Sequence, residues 1–593
     1  MRVSDYIVEY LYDLGITSAF VITGRGALFL NDALARKKEI LKIFPHHEQS
    51  ASFAACAAAA LTGQLQVVFV STGCASTNVI TGVLSAWQDH IPMIVISGQN
   101  SLEETTEYRQ VNLKTFGQQE ANIIPIVKSI TKYSCMIKDA KSIKYHLDKA
   151  VHEAHDANPG PVWIDVPLDI QNSHIDPAEL RGFQSNSSIA FSNYAASEQL
   201  TESLRTSKRP VFLIGSGVRA SGAGELIKRL STENGIPLVY THSAVDVVPL
   251  TYENCIGSIG SQGASRAGAF AVQNSDLLIV LGSRMNSLTT GPDRGKFARA
   301  ADIYAVDIDS IPHETNGINY TEIINADITD FLVEIEPIIK KKCEFDTSWL
   351  KFCHDLKIRY KVPEEFNSTP EALDLYDLAQ SVPDLMPPNG VFVCDSGFID
   401  VIIPTNAPFQ PNQRCIRPVS QGAMGFALPA AIGLASVSDL EVYCCIGDGS
   451  IMFNLQELET LSRYSLNVKI LVINNDMYSV IKRRQKKLFR DRIIGVDAST
   501  GLKTPDFQKI ANAFDIEYFN CSPGNYAALI EKETKRNGPQ IFELPGKSDQ
   551  EYIEINHART AQRRFVTRPI EDQKPFLNRE EFLKNMIIKP IDQ

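Results

Sequence analysis

The stretch VYCCIGDGSIMFNLQELETLSRYSLNVKILVINNDMYSV, residues 442–480, holds two apolar runs, VYCCIG and ILVIN, each ending in small or polar residues. Near-continuous apolar runs of this kind mark strands buried on both faces of a parallel sheet. Asp448 follows the first run and Asn475 the second, 27 positions later. A strand, a crossover helix and a second parallel strand take about that much chain, so both polar tips emerge at one carboxyl edge. At such an edge a carboxylate, an amide oxygen and a backbone carbonyl can hold a hard cation, which completes its octahedron with diphosphate oxygens and water. Mg²⁺ fits that set. Gly447, Gly449 and Ser450 let backbone N–H groups approach phosphates closely. Gly-Asp-Gly alone is a commonplace turn; the Asn pair at this spacing behind an apolar strand gives it meaning.

Outward from this stretch the same alternation continues. AFVIT, QVVFVS and MIVIS occur early, VFLIG and LLIVLG in the middle, and VFVCD shortly before residue 442, with helical patterns between them. The fold class expected is α/β, with three doubly wound parallel-sheet domains. Polar stretches at 181–197 and 361–372 read as linkers, giving domains at 1–180, 195–345 and 370–550. Residues 551–593 are charged and strand-poor, and read as a C-terminal extension with one short helix. No short-period repeat is evident, although the first and third domains are candidates for distant structural relatives.

Bulk composition narrows the classes. The chain has 593 residues, 44% hydrophobic and 21% charged, too long for one core. A formal charge of −11 and a pI of about 5.6 argue against nucleic-acid partners, which need a basic footprint. No apolar run reaches membrane-spanning length, and SDYIVEYLYDL begins an amphipathic helix where a leader would carry cationic and apolar segments. The eleven Cys residues form neither a CxxC pair nor a zinc-like cluster. Reduced thiols and a cytoplasmic location are the reading.

GDGS followed by NN resembles the signature of thiamine diphosphate enzymes, and the resemblance extends over nearly the whole chain. It implies that Asp448, Asn475 and the backbone of Met477 bind Mg²⁺, with Gly447, Gly449 and Ser450 at the diphosphate. PHHEQSASFAACAAAALTG resembles the segment in which a Glu hydrogen-bonds the cofactor's aminopyrimidine and favours the tautomer that removes the thiazolium C2 proton. Glu48 is that residue, although a first-turn Glu also complements a helix dipole. STGCASTN resembles the turn lining the pyrimidine pocket, with Gly73, Thr77 and Asn78 at matching positions and Cys74 in place of a Pro. FGQQEANIIP resembles a loop facing the reacting carbon. It nominates Gln119 as a polar contact and leaves Gln118 where acetohydroxyacid synthases carry Phe, a change that enlarges or polarises the acceptor pocket. RPVSQGAMGFALPAAIG resembles the segment whose Met wedges beneath the cofactor, here Met424 beside Gly422. CDSGFID, with Asp395, Ser396 and Gly397, implies further diphosphate contacts.

By the same resemblance the first domain binds the pyrimidine and the third the diphosphate, with sites shared across a subunit interface in a homodimer or homotetramer. The middle domain resembles the flavin-holding domain of acetohydroxyacid synthases at Gly215, Gly217, Gln262, Gly263, Ser283, Arg284 and Asp307. Relatives with an empty domain keep these turns, so FAD stays open, and if bound it is structural. Acetohydroxyacid synthases carry a Trp shortly after NN where this chain has Arg484.

SRAGAFAVQNSDLLIVLGSR, IGVDASTGLKTPDFQKIANAF and RPIEDQKPFLNREEFLKNM look like acetolactate-synthase-like proteins of cell-surface polysaccharide biosynthesis. The function implied is decarboxylation of a 2-keto acid, pyruvate, and transfer of the two-carbon unit to a keto sugar nucleotide. The alternatives are an acetolactate synthase using a second 2-keto acid, a simple decarboxylase, and a cofactor-binding scaffold. The basic run Lys482, Arg483, Arg484, Lys486, Lys487, Arg490 and Arg492 suits an acceptor's diphosphate, or is a solvated helix face. His46, His47 and His90 read as proton relays or as structural histidines.

Overall fold

Every apolar run quoted above forms a strand in the computed structural model, which describes residues 1–185, 194–342, 345–490, 492–559 and 565–591. The first sheet contains β1 (Ser18–Val21), β2 (Leu41–Ile43), β3 (Gln66–Val70), β4 (Met93–Gln99), β5 (Tyr133–Met136) and β6 (Pro161–Pro167). Its order is β2-β1-β3-β4-β6-β5. The middle sheet contains β7 (Pro210–Ile214), β8 (Leu238–Tyr240), β9 (Cys255–Ser258), β10 (Leu277–Leu281), β11 (Asp302–Asp307) and β12 (Glu322–Asn325). Its order, β12-β11-β10-β7-β8-β9, is that of a dinucleotide-binding sheet, with the reversal between β7 and β10.

The third sheet contains β13 (Val391–Cys394), β14 (Arg414–Ile416), β15 (Val442–Gly447), β16 (Val468–Asn474), β17 (Glu517–Asn520) and β18 (Gln540–Pro545). Its order, β14-β13-β15-β16-β18-β17, repeats that of the first sheet strand for strand. All pairings within the three sheets are parallel, and Val442 pairs with Val468 and Gly447 with Ile473, so the strands that hold VYCCIG and ILVIN are adjacent as read. Parallel order forces a crossover after each strand, and it puts the polar tips of each domain on one edge.

The first and third domains are joined by two apolar helices. Glu48–Thr62 starts on His47, whose Nδ1 accepts from the Gln49 N–H at 3.1 Å, and stops at Gly63 in the left-handed region, φ 69°. Its Ala-rich body packs on the helix Ala427–Val437 so closely that a Cβ on Gly433 would lie 2.0 Å from the Ala54 carbonyl oxygen. Phe53 and Phe426 meet edge to face at 5.3 Å beside it.

The end of the chain departs from the expected strand-poor extension. His557–Arg559 and Phe565–Thr567 pair as an antiparallel ladder, and a helix follows at Arg579–Lys584. Ile555, Ile570 and Phe582 are buried against the middle domain. Two of its buried amides are satisfied there: Gln273 Nε2 donates to Glu571 at 2.7 Å and Asn274 Nδ2 to the Asn585 carbonyl at 2.7 Å. The helix Thr347–Arg359 also lies on the middle sheet, with Trp349 Nε1 donating to the Pro210 carbonyl at 3.0 Å. Of the two stretches read as linkers, 361–372 forms no helix or strand, and residues 186–193 within the other lie outside the described residues. Among the described residues no helix is long and apolar enough to cross a membrane.

Candidate active site

At the carboxyl edge of the third sheet, Asp448 is buried and accepts from backbone only: the Gly449 N–H at 2.8 Å and the Asn475 N–H at 3.2 Å. Burial pushes its carboxyl up to about 6 against the pull of those N–H groups. A buried carboxylate without a cation beside it is the arrangement a metal ion would satisfy. The Asn475 amide nitrogen donates to Ser479 Oγ and the Lys547 carbonyl, both at 3.3 Å, and its oxygen accepts from no described residue. Met477 lies two residues on, in an isolated bridge with Asp497. Among the described residues no three His, Cys, Asp or Glu side chains group as a cage. A cation here would rest on one carboxylate, an amide oxygen, a carbonyl and ligand oxygens, a set that suits Mg²⁺. Gly449 has no room for a side chain, since its Cβ would fall 2.0 Å from the Tyr478 ring.

Asp395 ends β13 fully buried, and its oxygens accept from the N–H groups of Ser396, Gly425 and Ala427 at 3.0, 3.1 and 2.9 Å. Burial pushes this carboxyl, too, up to about 6. Both oxygens are thus spent on anchoring the segment that carries Gly422 and half-buried Met424. A carboxylate also repels a diphosphate, so of CDSG only Ser396 and Gly397 suit a phosphate contact. Gly425 takes φ 80° and its Cβ would lie 2.5 Å from Phe453 Cβ, which fixes the turn after Met424.

The first sheet presents its own edge. Glu48 stands at the start of its helix and accepts from Asn78 Nδ2 at 3.0 Å, so two residues 30 positions apart meet as a pair. Thr77 and Asn78 belong to the short helix Cys74–Asn78. Gly73 before it takes φ 70°, and its Cβ would lie 2.2 Å from the Gln119 carbonyl oxygen. Gln119, itself at φ 58°, is exposed beside this turn, as is Gln118, whose Oε1 accepts from Arg25 Nη1.

Beneath these exposed groups runs a buried network that the sequence did not reveal. Thr72 Oγ1 donates to Gln99 Oε1 at 2.6 Å, and Gln99 Nε2 donates to the Ala121 carbonyl at 3.0 Å and to Asp165 Oδ2 at 3.1 Å. Asp165 Oδ1 accepts from Ser97 Oγ at 2.6 Å, and Ser97 Oγ accepts from Trp163 Nε1 at 2.8 Å. Burial raises the Asp165 carboxyl to about 7. Gln99, Asp165 and Trp163 sit in strands that read as uniform core, and only the polar letters inside SGQ and IDVP signal the network.

Other expectations fare differently. Lys482 pairs with Asp497 at 2.8 Å, Arg483 with Glu551 at 2.7 Å and Glu554 at 3.0 Å, and Lys487 with Glu554 at 3.5 Å. Three of the seven basic positions are therefore neutralised, and exposed Arg484 and Lys486 on the helix Ser479–Phe489 meet no carboxylate among the described residues. His46 Nε2 meets Glu459 at 2.6 Å and His47 caps its helix, both structural uses. His90 precedes β4 and so stands at the amino edge of the first sheet, away from Glu48.

In the middle domain a Cβ on Gly215 would lie 2.2 Å from the Gly282 carbonyl oxygen, and the Gly217 N–H donates to that oxygen at 3.0 Å. These glycines bring two backbone turns together at the switch point beside Ser283. Arg284 donates to Ser420 Oγ at 2.9 Å, Asp307 faces His313 at 3.4 Å, Gln262 bridges Glu554, and Gly263 packs on Val401.

Comparison with known proteins follows this geometry. Residues 1–124 match the N-terminal TPP binding domain of thiamine pyrophosphate enzymes, 197–335 their central domain and 395–544 their C-terminal TPP binding domain. The acetolactate synthase isozyme 1 large subunit of Escherichia coli (strain K12) is 30% identical over 556 residues, 91% of this chain and 93% of that one. Acetolactate synthase 1, chloroplastic, of Nicotiana tabacum is 28% identical over 91% of this chain and 81% of its own length. The isozyme 2 large subunit of Escherichia coli (strain K12) is 26% identical over 93% of this chain and 100% of its own.

Proposed function

We propose a function from one premise: the chain belongs to the thiamine pyrophosphate enzyme family and is a thiamine diphosphate-dependent enzyme related to acetolactate synthase. Decarboxylation and carboligation of 2-keto acids follow at that level. Our finer reading is that pyruvate is the donor and the ketone of a sugar nucleotide the acceptor, in branched-sugar assembly for a cell-surface polysaccharide. The observation that carries it is the polar side of the first-sheet edge. Gln118 and Gln119 are exposed there, and Gln118 is bound to a guanidinium where acetohydroxyacid synthases place a Phe.

Thiamine diphosphate, when bound with Mg²⁺, supplies the electron sink that lets the keto acid lose CO₂ and leaves a two-carbon nucleophile. The chain's residues do the rest. Asp448, Asn475 and the Met477 carbonyl hold the cation, and Gly447, Gly449, Ser450, Ser396 and Gly397 bring backbone N–H groups to the diphosphate. Met424, beside Gly422, supports the thiazolium side. Glu48, oriented by Asn78, holds a proton at its carboxyl oxygen against the aminopyrimidine, with Gly73 and Thr77 shaping that pocket. Gln119 donates to the oxygen on which negative charge develops.

Large apolar side chains stay exposed beside both edges, among them Phe44, Leu113, Met452 and Phe453, at 43% to 54% exposure. That supports a homodimer, or a pair of dimers, with sites completed by the second copy. In the middle domain a cleft of about 520 Å³ opens between Arg284, Asn286, Arg294, Asn316 and Ser420. Its two guanidinium groups suit an FAD diphosphate, with a structural role because two-carbon transfer involves no net redox change. Flavin fluorescence after denaturation tests that assignment.

The acetolactate synthase reading, with a second 2-keto acid as acceptor, is favoured by 30% identity over 91% of the chain. One assay separates the two: pyruvate consumption with thiamine diphosphate and Mg²⁺, with and without nucleoside-diphosphate keto sugars. Consumption that depends on the sugar supports our reading, and acetolactate from pyruvate alone replaces it with the synthase.

A further inference from the structure

The turn after β1 is clamped by two close approaches that only glycine permits and by a backbone hydrogen bond. A Cβ on Gly24 would lie 2.5 Å from Ser71 Cβ, and one on Gly98 would lie 2.1 Å from the Gly26 carbonyl oxygen. The Gly26 N–H donates to Ser71 Oγ at 2.9 Å. Arg25, between these glycines, has its backbone fixed against the residues that lead into Gly73, and its side chain is exposed. The guanidinium reaches across the edge to Gln118, whose own carbonyl accepts from Asn100 Nδ2 at 3.0 Å. Gln118 is thereby held by its backbone while it holds Arg25.

A guanidinium has five donors, and Arg25 uses one of them on a neutral amide. Among the described residues no carboxylate pairs with it. In contrast, Lys482, Arg483 and Lys487 on the basic helix are committed to carboxylates. A pre-placed, unpaired guanidinium at the edge that carries Glu48, Gly73 and Gln119 is a receptor for an oxyanion.

We propose that Arg25 is a specificity-determining residue that binds the anionic group of the acceptor, a carboxylate or a diphosphate; this rests on the carboligation reading above. The donor's carboxylate is a poor partner. It leaves as neutral CO₂, and a cation against it would stabilise the charged ground state more than the transition state, raising the barrier. The acceptor keeps its anion from binding through product, so its attraction to Arg25 is retained throughout.

The test compares wild-type holoenzyme with Arg25→Gln and Arg25→Lys, using pyruvate as donor and three acceptors: 2-ketobutyrate, a nucleoside-diphosphate keto sugar and the neutral acetaldehyde. In Arg25→Gln the ratio of kcat/KM for the preferred anionic acceptor over acetaldehyde falls roughly 10- to 100-fold, the worth of a charge-assisted hydrogen bond, and Arg25→Lys recovers part of it. The anion that loses most identifies the source, carboxylate or diphosphate. Equal losses for neutral and anionic acceptors overturn the proposal. Direct titration of wild type and Arg25→Gln with 2-hydroxybutyrate, which keeps the carboxylate but cannot be decarboxylated, and with uridine diphosphate reads the same contact without turnover, and unchanged affinity for both overturns it as well. Wild type that binds a probe through Arg25 yet transfers nothing to any acceptor contradicts the carboligation reading instead.

Discussion

The first and third sheets share a strand order, β2-β1-β3-β4-β6-β5 against β14-β13-β15-β16-β18-β17, and use the same carboxyl edge for unlike purposes. On the third sheet the chemistry-bearing groups are buried: Asp448 and Asp395, both with carboxyls pushed up to about 6, and glycines that bare the backbone. On the first sheet they are exposed or half-buried side chains, Glu48, Asn78, Gln118, Gln119 and Arg25, standing over a buried network. On our proposal one scaffold serves as a grip, where burial and backbone count, and as a tool, where side-chain protons and orientation count. The difference predicts that damage to the third edge is read in cofactor affinity and damage to the first edge in turnover.

The largest departure should come from the grip. Asp448→Asn removes the carboxylate proposed to bind the cation, and thiamine diphosphate affinity measured by calorimetry with Mg²⁺ falls by more than the ~100-fold at the top of the range for outer-shell partners. Unchanged affinity would break the assignment of this edge. On the tool side, Gly73→Ala drives a methyl group into the Gln119 carbonyl at a positive φ. A displacement of about 1 Å at a reacting centre costs about 100-fold in rate. Steady-state kinetics should show kcat lost with cofactor affinity kept, and the reverse pattern would erase the contrast.

Smaller effects probe what joins the halves and what supports the tool. Gly433→Ala pushes into the Ala54 carbonyl and should cost ~1–3 kcal/mol of stability, seen as a lowered Tm, because two backbones must part. Burial pushes the Asp165 carboxyl from the usual carboxylate range up to about 7 in the folded chain. A carboxyl raised on folding stabilises most fully below its unfolded pKa, and that contribution is lost as pH rises through the folded one. Asp165→Asn should therefore gain Tm relative to wild type as pH rises from about 4 to about 7. A constant Tm difference across that range would show that Asp165 is ionised at little cost.

Legibility followed the same division. The third edge was readable because its groups lie in one short stretch, and the strand, crossover and strand place Asp448 and Asn475 together by register alone. The parallel sheets were readable too, since VFLIG or MIVIS admits few alternatives. Arg25 and the chain Thr72, Gln99, Asp165 and Trp163 were not, because they join separate strands and loops whose local patterns read as turn or core. The pairing of the basic run was not legible for a related reason: the carboxylates that neutralise it, Asp497, Glu551 and Glu554, lie in later loops, two of them beyond the last strand of the third sheet. The terminal segment, read as an extension, instead satisfies buried amides of the middle domain, a match no local pattern encodes.

The central claim is that the first edge performs the proton chemistry on a cofactor gripped by the third. The most direct measurement is the rate at which the C2 proton of thiamine diphosphate exchanges with D₂O on the Mg²⁺-loaded protein, wild type against Glu48→Gln. The account expects Glu48→Gln to bind the cofactor and to slow exchange by about 10²- to 10⁴-fold, the range for a positioned acid–base group. Exchange at the wild-type rate in a variant that still binds the cofactor would contradict it.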